Sequence, residues 1–356
     1  MSQDKPDSVA ATPQTAAQAP AQADGDMDRR DFLRRALGAG LTVAAAGALG
    51  WGLYDPHGPR AGGAAQAAVK LGDYSLKDQA GRLAVVRASQ RVPALLAGLK
   101  ALGGLEAFIK RGDRVLIKVN AGFATPPNMG ATTNPELLGE LIRQCLAVGA
   151  ERVVVTDNPI NDPQSCFALT GIGQATQEAG GVLAPPLERH FHPTTVEGAR
   201  LIRDWPLLYG PFEGVNKVIG LCPVKDHHRS GASMTMKNWY GLLGGRRNIF
   251  HQDIHTIIAE LAMLVRPSLV ILDGVVSMIS NGPTGGSPDD LKPTGTLILS
   301  TDQVAADALG ATLLGKTPAD LPFIGNAAAA GLGTVDWRSL KPLELSLQGR
   351  GAKAWA

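Results

Sequence analysis

The chain has 356 residues, 44% of them hydrophobic, enough for two ordinary domains or one large one; global disorder is excluded. Its 34 lysines and arginines balance 32 acids to a net charge of +2, and aromatics reach only 5%. Neither a charge-driven nucleic-acid binder nor a base-stacking platform is expected. Three cysteines exclude a disulfide scaffold and any cluster held by four cysteines of this chain.

Residues 1–26 are rich in Ala, Gln, Pro and Asp, lack periodicity and read as a disordered leader. Asp28-Arg29-Arg30-Asp31-Phe32-Leu33 follows, then a run of mostly small and apolar residues over 36–53. Paired arginines, Phe-Leu and a weakly apolar stretch resemble a bacterial twin-arginine export signal. That resemblance implies the twin-arginine translocase as a partner, export in the folded state and a periplasmic location. Ala65-Gln66-Ala67 offers a small-x-small cleavage site, making 1–67 leader and signal. Were the signal retained, it would anchor the protein, since about 18 apolar residues approach the length that spans a bilayer.

A linker is expected over 68–80 and a folded domain over 81–335. Strands are expected at 83–88, 114–120, 152–156, 217–222, 268–273 and 296–300. Helices are expected at 93–109, 135–148, 167–179, 234–243, 253–265, 303–314 and 319–330. Pro135 suits a first helical turn and Gly149 a helix end. Alternating strands and helices indicate an α/β fold, a mostly parallel sheet with helices on both faces. Residues 185–215 fit no regular pattern and are read as a lobe or flap, and 336–356 as a C-terminal tail. The oligomeric state is not legible.

In parallel sheets, ligands bind beyond the carboxyl ends of the strands. Lys118 and Asn120 end one expected strand; Asp157, Lys225-Asp226-His227-His228 and Asp273 follow three others. Lys237-Asn238 and Arg246-Arg247 flank a glycine turn, where cations suit phosphate or carboxylate oxygens. Asn281-Gly282-Pro283-Thr284-Gly285-Gly286 is a glycine-rich loop without the features of a Walker loop. His251 and His255 have the spacing of a metal pair on a helix but lack the glutamate of a zincin. Cys145 and Cys222 read as core thiols; Cys166, at a helix start, is the one with reactive potential.

VLIKVN at 115–120, ATTNP at 131–135, the strand into Asp157, PVKDHH at 223–228, MKNWYG at 236–241, Asp273 with NGPTGG at 281–286 and TDQVAAD at 301–307 resemble the family called domain of unknown function 362. The resemblance covers about 81–330. It implies shared residues at Lys118, Asn120, Asp157, Lys225, Lys237, Asn238, Asp273, Asn281 and Asp307, the last placed inside a helix and read as a surface or dipole-related charge. Many members carry ferredoxin-type cysteine motifs. This chain carries none, so no iron–sulfur cluster is expected from it, and its cofactor is otherwise unknown.

Three functions remain open. One is an exported enzyme acting on a small anionic or carbonyl-bearing substrate, bound or polarised by Lys225 and Lys237, with Asp157 or Asp273 as acid or base. Lys118, Asn120, Asn238 and Asn281 would complete its binding cleft. The second is a periplasmic binding or cofactor-carrying accessory protein with the same cleft. The third is a metal-dependent enzyme using Asp157, Asp273 and His227 or His228.

Overall fold

A computed structural model describes residues 28–54 and 67–347, which form two units divided at Tyr54. The leader expected at 1–26, the cleavage site around Ala65 and the last nine residues lie outside the described residues. In the first unit, helix α1 (Arg29–Gly52) starts at Asp28, whose side chain accepts from the Arg30 amide. None of its residues is buried, and it is long and apolar enough to cross a membrane by length and composition.

In the second unit, eight described strands make one sheet. In chain order they are β1 (Leu83–Arg87), β2 (Arg114–Lys118), β3 (Arg152–Thr156), β4 (Val182–Leu183), β7 (Lys217–Lys225), β8 (Leu269–Met278), β9 (Leu291–Ser300) and β10 (Leu343–Ser346). Their spatial order is β10-β1-β9-β8-β7-β2-β3-β4. β9 runs antiparallel to both neighbours and every other pairing is parallel, so the fold is α/β with a mostly parallel sheet. The strands are almost continuously apolar because both faces are covered. Successive side chains point to opposite faces. Val115, Ile117, Leu221, Ile271 and Leu299 therefore pack into one core layer, with α2 (Arg91–Ala101) and α3 (Pro135–Ala147). Leu116, Val218, Cys222, Leu272 and Ile298 pack into the other, with α7 (Ile254–Leu264), α8 (Gln303–Leu313) and α9 (Pro322–Ala329).

Local chemistry sets the helix starts. Asn134 caps α3 by accepting from the Leu137 amide at 3.0 Å, with Pro135 at the first position. Asp302 caps α8 through the Ala305 amide at 2.9 Å.

Several boundaries differ from expectation. The helix expected over 93–109 ends at Ala101, because Gly103 and Gly104 turn the chain at φ +95° and +85°. The one expected over 167–179 is two helices, α4 (Pro163–Leu169) and α5 (Ile172–Glu178), separated by Gly171 at φ +70°. The strand expected to stop at residue 273 continues through a bulge to Met278. The expected linker 68–80 is built into the domain: Val69 bridges to Thr194, and Leu71 and Tyr74 are buried in the core. The expected tail contributes β10, parallel to β1. Within 185–215, β5 (Phe191–Thr194) and β6 (Trp205–Leu208) form a separate antiparallel pair.

Glu260 fastens this lobe. It lies buried on α7, and its carboxylate accepts from the amides of Arg200 at 2.7 Å and of Leu201 and Ile202 at 2.9 Å each. Glu260→Ala would leave three backbone donors without their acceptor, the Ile202 amide in a buried setting and those of Arg200 and Leu201 in a partly buried one. We expect a loss of about 3 kcal/mol, read as a lower denaturation midpoint, because each buried unsatisfied donor costs about 1–3 kcal/mol. An unchanged midpoint would show that water replaces the carboxylate.

Candidate functional site

The carboxyl ends of β2, β3 and β7 meet a short helix, α6 (Thr235–Asn238), around a cavity of about 210 Å³. Lys118, Asn120, Phe123, Asp157, Lys225, His227, His228, Lys237, Asn238, Tyr240, Arg247 and His251 all line it. A larger cavity of about 360 Å³ lies elsewhere, where Lys70 and Arg266 are matched by Asp73 and Glu197. Its charges balance and it gathers no buried cation. The smaller cavity concentrates four cations against one carboxylate and is the better candidate.

Two of those charges are consumed in holding the site together. Lys118 is fully buried on β2, and its Nζ lies 2.7 Å from Asp157 Oδ1. It also donates to the carbonyls of Val119 at 2.7 Å and Asn238 at 2.9 Å. Burial depresses the Lys118 pKa, and the Asp157 carboxylate opposes that shift. Asp157 further accepts from the amides of Ala121 at 2.6 Å and Asn158 at 2.8 Å. A Cβ at position 241 would lie 1.9 Å from Asp157 Oδ1, so the pair requires Gly241. Asn238 returns a bond from its Nδ2 to the Lys118 carbonyl at 3.1 Å.

Arg247 gives its guanidinium to four backbone carbonyls, those of Tyr240, Leu243, Asn158 and Pro159. It closes the cavity wall and adds charge, with little donor capacity left for a ligand.

Lys225 and Lys237 are different. Lys225 Nζ donates to the carbonyls of Ala131 at 2.5 Å and Pro283 at 3.2 Å and lies 5.2 Å from the Phe123 ring centre. Among the described residues it has no carboxylate partner. Burial depresses its pKa to about 8. Lys237 Nζ makes no hydrogen bond or ion pair with any described residue; it lies 5.1 Å from the Tyr240 ring centre. Burial, then the charges of Lys225 and Arg247, push its pKa down to about 7.

Three imidazoles complete the wall. His227 stacks on His228 at 5.1 Å and on His251 at 6.0 Å. His227 Nδ1 accepts from the amides of Arg229 at 3.2 Å and Ser230 at 3.3 Å, which leaves its proton on Nε2. Burial and the two lysines hold it neutral, with a pKa pushed down to about 2. His228 Nδ1 faces the Gly282 carbonyl at 3.2 Å, and His251 Nδ1 the Asn248 carbonyl at 3.1 Å. Those carbonyls fix the proton on Nδ1 of both rings.

Two of the sequence candidates fall outside this cavity. Asp273 follows the alternation of Leu269 and Ile271, toward the α2 layer, and lies 2.6 Å from Arg91 Nε. Its Oδ1 accepts from the Val275 amide at 3.0 Å, so its role is to secure the β8 bulge. Asn281, at φ +52°, donates to Asp290 Oδ1 at 2.5 Å and closes its own loop. That loop reaches the cavity through Pro283.

Asp307, expected as a surface charge, is completely buried. It accepts from the Thr235 amide at 2.7 Å, the Thr235 hydroxyl at 2.6 Å and the Met236 amide at 3.1 Å. Burial still pushes its pKa up to about 7. His251 and His255 do not form a metal pair: His251 meets Tyr240, while His255 stacks on Phe323. No described group of three or more His, Cys, Asp or Glu is arranged to hold a metal, and Asp157, Asp273 and His227 do not converge. Cys166 is buried, and its thiol is pushed up to about 11, mainly by desolvation, away from reactivity. Phe123 has no sequence signal; it is a lone aromatic in an irregular loop.

The depressed Lys237 pKa has a consequence for stability. An unfolded chain protonates this amine below its ordinary pKa of 10.5, whereas the folded chain does so only near 7. Folding is therefore penalised as pH falls from about 10 to 7. Lys237→Met keeps most of the stem and removes the charge. At pH 7 it should stabilise the fold by about 4 kcal/mol, since the amine titrates more than three units below its ordinary value and one pKa unit corresponds to about 1.4 kcal/mol. The gain should shrink toward pH 10 in denaturation midpoints measured across that range. A variant less stable than the parent at pH 7 would show that the ammonium is a structural group.

Residues 115–312, more than half of the chain, match the family described as domain of unknown function (DUF362). A thylakoid-associated protein of Synechocystis sp. is 27% identical over 263 residues, covering 68% of this chain and 77% of that protein. The structure of the lactate racemase apoprotein from Thermoanaerobacterium thermosaccharolyticum is 10% identical, with a TM-score of 0.32. That match covers 67% of this chain and 57% of the other. The motifs that build the cavity lie within the matched segment, from Lys118 on β2 to Asp307 on α8, and the chain belongs to the family called domain of unknown function 362.

Proposed function

We propose that this is an exported enzyme that binds a small organic anion in the cavity between β2, β3, β7 and α6. The observation that carries the reading is the charge count at the wall. Lys118, Lys225, Lys237 and Arg247 face one carboxylate, Asp157, which is already bonded to Lys118. A carboxylate or phosphate ligand would offset that excess in a site where desolvation strengthens the attraction. The volume, about 210 Å³, lies below the roughly 300–1,000 Å³ of drug-sized sites, which favours a compact ligand over a dinucleotide. Lys225 supplies the charge that grips the anion. Asp157 serves as a positioning residue for Lys118, not as the acid or base. The near-neutral pKa of Lys237 suits proton transfer at physiological pH.

Small carboxylates and inorganic phosphate can be screened by titration calorimetry on the full chain. Lys225→Met should weaken the best of them by about 2–5 kcal/mol, roughly thirtyfold or more, with an unchanged circular dichroism spectrum. Binding that survives in this variant would overturn the reading. A bound anion with no turnover would mark the protein as a carrier.

The export half of the proposal rests on Arg29, Arg30, Phe32 and Leu33 ahead of the apolar α1, and is supported by the thylakoid association of the Synechocystis relative. Replacing Arg29 and Arg30 with lysine should retain the protein in the cytoplasm on cell fractionation. Unimpaired export of that variant would remove the twin-arginine route.

A further inference from the structure

We propose that Lys237 is a nucleophilic amine that forms an imine with an aldehyde or ketone carbonyl of the anion bound in the cavity. The inference rests on the anion-binding reading and assigns its substrate class, a small oxo-acid.

Three observations support it. First, the Lys237 amine carries no hydrogen bond or ion pair to a described residue and faces the cavity. Lys118, by contrast, spends its donors on Asp157 and two carbonyls, and Lys225 spends two on carbonyls. Second, every charge closest to Lys237 disfavours its protonation. Lys225 and Arg247 are cations, Tyr240 and His227 are neutral, and Asp157 is neutralised by Lys118. Desolvation beside another cation is the arrangement that activates a lysine as a nucleophile. Third, the backbone carrying it is fixed at both ends, by Asp307 at Thr235 and Met236 and by Asn238 at Lys118.

The step balances without a redox partner. The amine nitrogen adds to the carbonyl carbon, and the carbonyl oxygen leaves as water with the two amine protons. One C=N bond replaces one C=O bond. Lys225 would hold the carboxylate of the same molecule, leaving its carbonyl to Lys237.

The test is reductive trapping on the full chain. Glyoxylate, the smallest anionic aldehyde, is added with cyanoborohydride, and the carboxymethylated lysines are mapped by peptide mass spectrometry. Lys237 should be labelled at least about tenfold faster than the exposed lysines at pH 7, because far more of it is the free amine. Its labelling should follow a titration near pH 7, whereas exposed lysines rise only at alkaline pH. These rates are read on the unmodified protein, so the outcome does not depend on a variant folding. Lys237→Arg should abolish the fast label. Even labelling of surface lysines, or a fast label at Lys225 instead, overturns the inference.

Propionaldehyde, which is uncharged, separates this result from the parent reading. A fast label at Lys237 with both aldehydes keeps the nucleophile and sinks anion selectivity. Phosphate that binds the cavity while Lys237 remains unlabelled keeps the anion site and sinks the nucleophile.

Discussion

The buried contact between Lys118 and Asp157 is the constraint around which the cavity is arranged. It joins the ends of β2 and β3 at 2.7 Å and reaches α6 through the Asn238 carbonyl. Removing both groups from water costs several kcal/mol per ion, and their attraction offsets this only when the remaining donors and acceptors are satisfied. Here they are. Lys118 spends its three protons on one carboxylate and two carbonyls, and Asp157 takes two backbone amides besides. A glycine at 241 is required because any side chain would enter the carboxylate. The pair therefore sets how closely α6 and the segment after it approach the sheet.

Once Asp157 is committed to Lys118, the remaining cations are undercompensated. Lys225, Lys237 and Arg247 share a small desolvated space with three imidazoles, and burial biases those of His227 and His251 toward the neutral form. Backbone carbonyls supply the partial negative charge that keeps Lys225 and Arg247 in place. Aromatic faces at Phe123 and Tyr240 add a weaker contribution. Among the described residues, nothing of this kind reaches Lys237 beyond the Tyr240 ring. A negative ligand, as proposed, would offset this excess, and the cost of the arrangement to the fold is the depression of the Lys118, Lys225 and Lys237 pKa values. Such local destabilisation is typical of residues retained for function.

Much of this could be read from the sequence because parallel strands deliver their carboxyl ends to one edge. Lys118, Asp157 and Lys225 follow apolar runs, and that placement alone collected them. The same logic failed for Asp273, because the end of a strand does not specify its face. One residue of alternation separates the cavity layer from the α2 layer, and Arg91, nearly two hundred positions away, determines where that carboxylate is bound. Asn281 failed for a related reason: its partner, Asp290, closes the loop locally. Asp307 looked like a helix-surface charge, but α8 is buried along most of its length, so a carboxylate there must find donors within the protein. β10 resembles a tail in sequence because an edge strand with only two leucines gives a weak signal.

The segment bearing Lys237 shows how a site can be precise without local stability. Helix α6 is four residues long, far below the length at which an isolated helix holds together. Its first amides have no helical partners, and no side chain of its own caps them. Asp307 takes that role from α8, Trp239 packs against the space left by Gly220, and its indole donates to Gln303 Oε1 at 2.8 Å. Asn238 then pins the far end to β2. The amine is thus positioned by groups from α8, β7 and β2, each brought into place only when the sheet has formed. The cavity cannot assemble ahead of the domain, and that makes its geometry a property of the whole α/β core rather than of the MKNWYG motif that displays it.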